Sequence, residues 1–163
     1  MPAETKRPTI ALAPHLVCDG ASDAIAFYEN AFGAEPMMRL DGPNGRIMHA
    51  SVTVNGAVVM LVDENKEYGI IGPKSLGGTS VTLHLAVPDV DKSFARAVEA
   101  GARPIMPPAD MFWGDRYSQV EDPFGHRWSL ATTKIELSPE QIRENAEKAM
   151  LAYVQEGDGP RQS

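Results

Sequence analysis

Apolar and polar positions run through one succession of periods along this chain, and the succession is written twice. From Ile10 to Val17 they alternate as in a half-buried strand, with Leu12 and Leu16 on one face and Ala13 and His15 on the other. From Asp19 the period lengthens: Ile25, Tyr28 and Phe32 fall on one helical stripe, and Gly33 is a natural stop. A short strand, Glu35 to Leu40, ends in "DGPNG". Ile47 to Val54 and Val58 to Asp63 then read as two strands joined through Asn55-Gly56, a strong hairpin signal. The predicted order is β-α-β-β-β.

The second copy repeats it. Val81, Leu83, Leu85 and Val87 share one face of a strand whose other face carries Thr82, His84 and Ala86. A helix over Asp89 to Ala100 aligns Phe94, Ala97 and Val98 and stops at Gly101, and Pro104 to Pro107 is the next strand. Asp115 to Glu121 and Arg127 to Thr133 are expected to pair through Asp-Pro-Phe-Gly, read as a type I turn. Both copies pass from His-Leu to Gly-Ala-x-Pro, "HLVCDGASDAIAFYENAFGAEP" at 15–36 and "HLAVPDVDKSFARAVEAGARP" at 84–104.

Between the copies, "ENKEYGIIGPKSLGGT" is polar, Gly-rich and unpatterned, as in a linker or mobile loop. After the second copy, Ser138-Pro139-Glu140-Gln141 is a capping box with Pro at the first helical position. Ile142, Ala146, Ala149 and Tyr153 give that helix a stripe that should dock. The organisation read here is a tail at 1–8, modules at 9–63 and 80–133 joined by a linker at 64–79, a C-terminal helix at 134–155, and a disordered tail at 156–163.

Composition narrows the function. At 163 residues the chain suits one compact unit, and its net charge of −7 argues against a nucleic-acid partner. No apolar run approaches the roughly 20 residues that span a bilayer, so no membrane partner is expected. The opening MPAETKRPT lacks a signal peptide's apolar core, and the lone Cys18 excludes an internal disulfide. The expectation is a cytoplasmic protein whose partners are a small-molecule ligand and a second copy of itself.

The tandem repeat, with "FYENAFG" in its first helix and "DPFGHRWSL" at its last hairpin, resembles the vicinal oxygen chelate superfamily of glyoxalases, bleomycin-binding proteins and extradiol dioxygenases. "GRIMHASVTVNGAVVML", "FWGDRY" and "DPFGHRWSLAT" are similar to its PhnB-like branch. The resemblance covers about residues 9–133 and implies an α+β fold of two βαβββ modules whose sheets share a concave surface, commonly completed in a dimer. It also implies a divalent metal held by four strand positions, which here are Ala13, Met60, Thr82 and Ser129. None is a normal donor for such an ion, so no cofactor is expected.

His15 and His84 lie two residues beyond the family's ligand positions, hence on the same strand faces. Counting back through Asn55-Gly56 pairs Ser51 with Met60 and His49 with Val62, which turns His49 inward. The same count through Pro123-Phe124 pairs Ser118 with Ser129 and Arg116 with Ala131, which would turn Arg116 inward. The candidate ligand-binding set is therefore His15, His84, His49, Arg116, Trp113, Met60 and Ser129, with Val17, Val62 and Ala86 between them. Phe112 and Trp113 read either as a lid over a flat ligand or as an interface plug. Trp128 is assigned to the core and His126 to an exposed turn.

Three functions compete: a binding protein for a small anionic or aromatic molecule, a glyoxalase-type isomerase, lyase or transferase, and a purely structural dimer. The enzyme would use a displaced metal pair, His15 and His84, or imidazole acid–base chemistry. No carboxylate shifts with the histidines, since the matching positions are Val62 and Ala131. His49 is a poor third ligand by spacing, two strands and roughly 9 to 10 Å from His15. Binding without a divalent metal is the favoured reading.

Overall fold

A computed structural model describes residues 12–157. The strand start placed at Ile10, the tail at 1–8 and residues 158–163 lie outside the described residues. The first module consists of β1 (His15–Cys18), α1 (Ala21–Phe32), β2 (Glu35–Asp41), β3 (Ile47–Val54) and β4 (Ala57–Asp63). A four-residue helix α2 (Pro73–Leu76) lies in the connection. The second module is β5 (Thr82–Ala86), α3 (Val90–Glu99), β6 (Arg103–Asp110), β7 (Asp115–Glu121) and β8 (Arg127–Thr133), followed by α4 (Pro139–Gly157). Each module forms a mixed four-stranded sheet, ordered β1-β4-β3-β2 and β5-β8-β7-β6, whose first pair is parallel.

Local chemistry sets these elements. Gly33, at φ 67°, closes α1 by donating its amide to Glu29 while Ala34 donates to Tyr28. Asp89 caps α3 through its carboxylate, which accepts from the Lys92 amide. Asn55 and Gly56 both adopt positive φ, 47° and 79°, as a tight two-residue hairpin demands, and Val54 pairs with Ala57 as counted from sequence. The Ser138 capping box forms with both of its hydrogen bonds.

Alternation puts Leu16, Cys18, Ala50, Val52, Val54, Val59 and Leu61 on the core face of the first sheet, and Leu85, Val120, Trp128 and Leu130 on that of the second. One contiguous core joins them, because α1 packs against α3 and sends Tyr28 and Phe32 onto Trp128. At about 1.5–3 kcal/mol for each large apolar side chain buried, this shared core is what locks the modules together. Both sheets therefore turn their core faces toward the helix pair and their other faces away from it.

Several expectations change. The 64–79 connection is not an unpatterned loop: Glu64 accepts from the Gly72 amide and from Ser75 Oγ, and Gly72 packs against the Val17 carbonyl. β6 continues to Asp110, three residues beyond Pro107. His126 is buried, with Nε2 2.9 Å from the Val17 carbonyl, so it ties the second hairpin to β1. On α4, among the residues whose burial is described, only Ile142, Asn145 and Ala146 are half-buried. Ala149 and Tyr153 are exposed, so the expected stripe docks only over its first turns, where Asn145 donates to the Phe112 carbonyl.

The most consequential change is the β7–β8 register. Asp122 accepts from the amides of both Phe124 and His126, so the turn spans five residues, 122–126, and not four. Gln119 consequently faces Ser129, and Arg116 faces Thr132. A one-residue slip exchanges the two faces of β7. Arg116 and Ser118 move to the helix side, while Tyr117 and Gln119 move to the open face.

Candidate functional site

The open face of the second sheet is built around His84. Its Cα partner across β5 and β8 is Ser129, and His84 Nδ1 lies 2.8 Å from Ser129 Oγ. Ser129 is itself buried under its neighbours. On the far side of β8, Tyr117 stacks nearly parallel to His84, with ring centroids 6.4 Å apart at 14°. Gln119 Nε2 donates to the Tyr117 hydroxyl at 2.7 Å. Trp113 meets Tyr117 edge-on at 5.6 Å, and its indole donates to Asp115. The loop carrying Trp113 is fixed by Gly114, whose φ is 100° and where an added Cβ would run into the Ile135 carbonyl. Trp113 thus stands against the open face, while Phe112 is half exposed beside α4.

The matching position of the first sheet holds His15, whose Cα partner is Met60; Met60 in turn faces Ser51. Despite two intervening strand spacings, the rings of His15 and His49 meet edge-on with centroids 5.5 Å apart. Partial desolvation of the still exposed ring, and secondarily the neighbouring His49, lower the pKa of His15 below the ordinary imidazole value. Met38, Leu40 and Val62 complete this face, which is mostly apolar.

The candidates therefore separate into groups. His84, Ser129 and Trp113 come together on the second sheet; His15, His49 and Met60 come together on the first. No hydrogen bond, ion pair or ring contact among the described residues joins the two open faces. His15 instead lines a cavity of about 330 Å³ with Val17, Pro73 and His126. Arg116 belongs to neither group. It forms a two-pronged pair with Asp91 on α3, at 2.7 and 2.9 Å, and a third bond to Asp110. Those bonds raise the Arg116 pKa and hold Asp91 low. Tyr117 and Gln119 are the residues that counting missed, and the signal lay in Asp122, whose side chain caps its own turn and so lengthens it.

Two further groups are structural. Burial, with the Asp122 charge nearby, pushes the Cys18 thiol up to about 12, which leaves it inert. Tyr28, buried beside Asp122, is raised well above its ordinary range.

The donors do not fit the divalent site that the fold implies. Ala13, Met60, Thr82 and Ser129 offer no imidazole or carboxylate, and no group of three His, Cys, Asp or Glu side chains able to hold an ion occurs among the described residues. Two mixed βαβββ sheets with the helix of each on its core face define a class of protein. Residues 10–130 match the Glyoxalase/Bleomycin resistance protein/Dioxygenase superfamily, and the chain belongs to it. It is similar to protein Rv0887c of Mycobacterium tuberculosis, 45% identical over 152 residues covering 91% of this chain and 85% of that one. The crystal structure of TioX from Micromonospora sp. ML1 is similar at TM-score 0.60 and 28% identity, covering 75% of this chain and 97% of TioX. The PhnB protein from Bacillus cereus shares the fold at TM-score 0.60 and 19% identity, over 75% of this chain and 98% of that one. No helix among the described residues is long and apolar enough to cross a membrane.

Proposed function

We propose that this chain is a cytoplasmic binding protein for a small planar molecule with a hydrogen-bonding edge, held on the open face of the second sheet. The observation that carries the reading is the His84–Tyr117 ring pair, set over small buried residues with Ser129 and Gln119 fixing its two members. Stacking on such rings favours flat ligands, and the Nδ1 contact of His84 leaves its other nitrogen to face a ligand. With Arg116 committed to α3, the grip that suggested an anion is gone, and the aromatic alternative remains.

The first sheet's open face, apolar and bare in a single chain, supports pairing with a second copy, since large exposed apolar patches mark interaction sites. In that homodimer the Met38, Met60 and Val62 face of one copy would close over the His84 face of the other. The protein would carry no catalytic divalent ion.

An enzyme using His84 as acid–base catalyst is the second reading, supported by the orienting Ser129 contact. The carboxylates nearby weigh against it: Glu121 pairs with Arg103 and Arg127, and Asp115 accepts from Trp113. Thermal-shift screening against planar heteroaromatic compounds tests the proposal. Hits should lose their shift in Tyr117→Ala and keep it in Arg116→Ala. Hits indifferent to Tyr117, or dependent on Arg116, would contradict it.

A further inference from the structure

The first sheet carries a second cluster whose two histidines the binding reading does not use. His15 and His49 approach each other across β4, beside Met60, the Cα partner of both His15 and Ser51. Met38 is the Cα partner of Ser51 from the other side. Alternation puts all four side chains on the open face, because Leu16, Ala50 and Leu61, one residue away, fill the core. Around Ser51 the sheet thus presents two imidazoles and two thioethers. The remaining neighbours are apolar: Leu40 faces His49 and Val62 faces Val17.

We propose that His15, His49 and Met60 form a binding site for a soft monovalent cation, Cu(I), within one module of one chain. One nitrogen of each ring at roughly 2.0–2.1 Å from a shared ion, the length of an imidazole–metal bond, would put the centroids about 5 Å apart at a tetrahedral angle and about 6.5 Å apart at a linear one. The observed separation is 5.5 Å. The thioether favours Cu(I), imidazole binds it as well as other late transition ions, and a hard divalent ion would need the carboxylates this cluster lacks. Cu(I) also accepts two or three ligands, so the donors present suffice. The site differs from the one the superfamily's fold implies: it shares only the Met60 position with it, takes nothing from the second module, and carries a soft thioether among its ligands. It takes no residue from the His84 face, and only Met60 is shared with the dimer surface proposed above.

The test is anaerobic titration of the purified full chain with Cu(I) under reductant, competed by bicinchoninate, alongside X-ray absorption of the loaded protein. One Cu(I) per chain is expected, with nitrogen and one sulfur scatterer in its shell. His15→Ala, His49→Ala and Met60→Leu should each weaken it about tenfold or more, while His84→Ala should keep it. Matching far-UV spectra and melting temperatures establish that each variant is folded. Saturating Zn²⁺ should not displace the ion. Absence of stoichiometric Cu(I), retention in His15→Ala or His49→Ala, a shell without sulfur, or equal loss in His84→Ala would each overturn the proposal.

Discussion

The Tyr28 hydroxyl donates a 2.7 Å hydrogen bond to Asp122, 94 residues further along the chain, and this buried bond joins the helix of the first module to the hairpin of the second. Asp122 also accepts from the Trp128 indole at 3.0 Å and from two backbone amides, so its lone pairs are engaged on all sides. Removing one partner of such a network leaves a buried group unmatched, at a cost of about 1–3 kcal/mol. Tyr28→Phe should lower the unfolding free energy by that amount. Asp122→Ala, which strands several donors, should lower it further. Denaturant titration of both variants measures this, and an unchanged midpoint in either would refute the network's role.

Ser118 offers the opposite case. The corrected register turns it into the core, where it is fully buried and its hydroxyl has no partner. Ser118→Ala should stabilise the protein by about 1 kcal/mol, since an unmatched buried hydroxyl costs about that much or more. A loss of stability would mean the hydroxyl is satisfied after all.

The twofold repeat, its elements and the parity of β1, β3, β4 and β5 were legible in the sequence because period-two alternation is unambiguous where one face is buried. The hairpin at Asn55-Gly56 was legible too, since its backbone conformation admits few residues. What failed was the second hairpin. Asp-Pro-Phe-Gly satisfies a four-residue turn on paper, but the Asp122 side chain also accepts from the His126 amide and draws a fifth residue into the turn. That one-residue difference cost Arg116 its place in the site and hid Tyr117 and Gln119. The His15–His49 approach was hidden for another reason: strand spacing counts backbones, and two imidazoles leaning toward each other across β4 close most of the gap.

A pH dependence follows from His15. Its folded pKa lies below the ordinary 6.5, so the unfolded chain binds the proton more readily. Stability is then level above that value and declines as pH falls below it, through the window down to the folded pKa. In the presence of a chelator, His15→Gln should flatten this decline between neutral and mildly acidic pH. An identical slope in wild type and variant, read from denaturation midpoints across the range, would show that His15 does not contribute.

The most direct test of the binding reading is native mass spectrometry of freshly purified protein. A homodimer that carries an organic adduct of small-molecule mass and well under one equivalent of any divalent transition ion is expected. Tyr117→Ala or His84→Ala should shed the adduct while Arg116→Ala retains it. A stoichiometric divalent ion that disappears in His15→Ala or His84→Ala would contradict the account and favour metal-dependent catalysis.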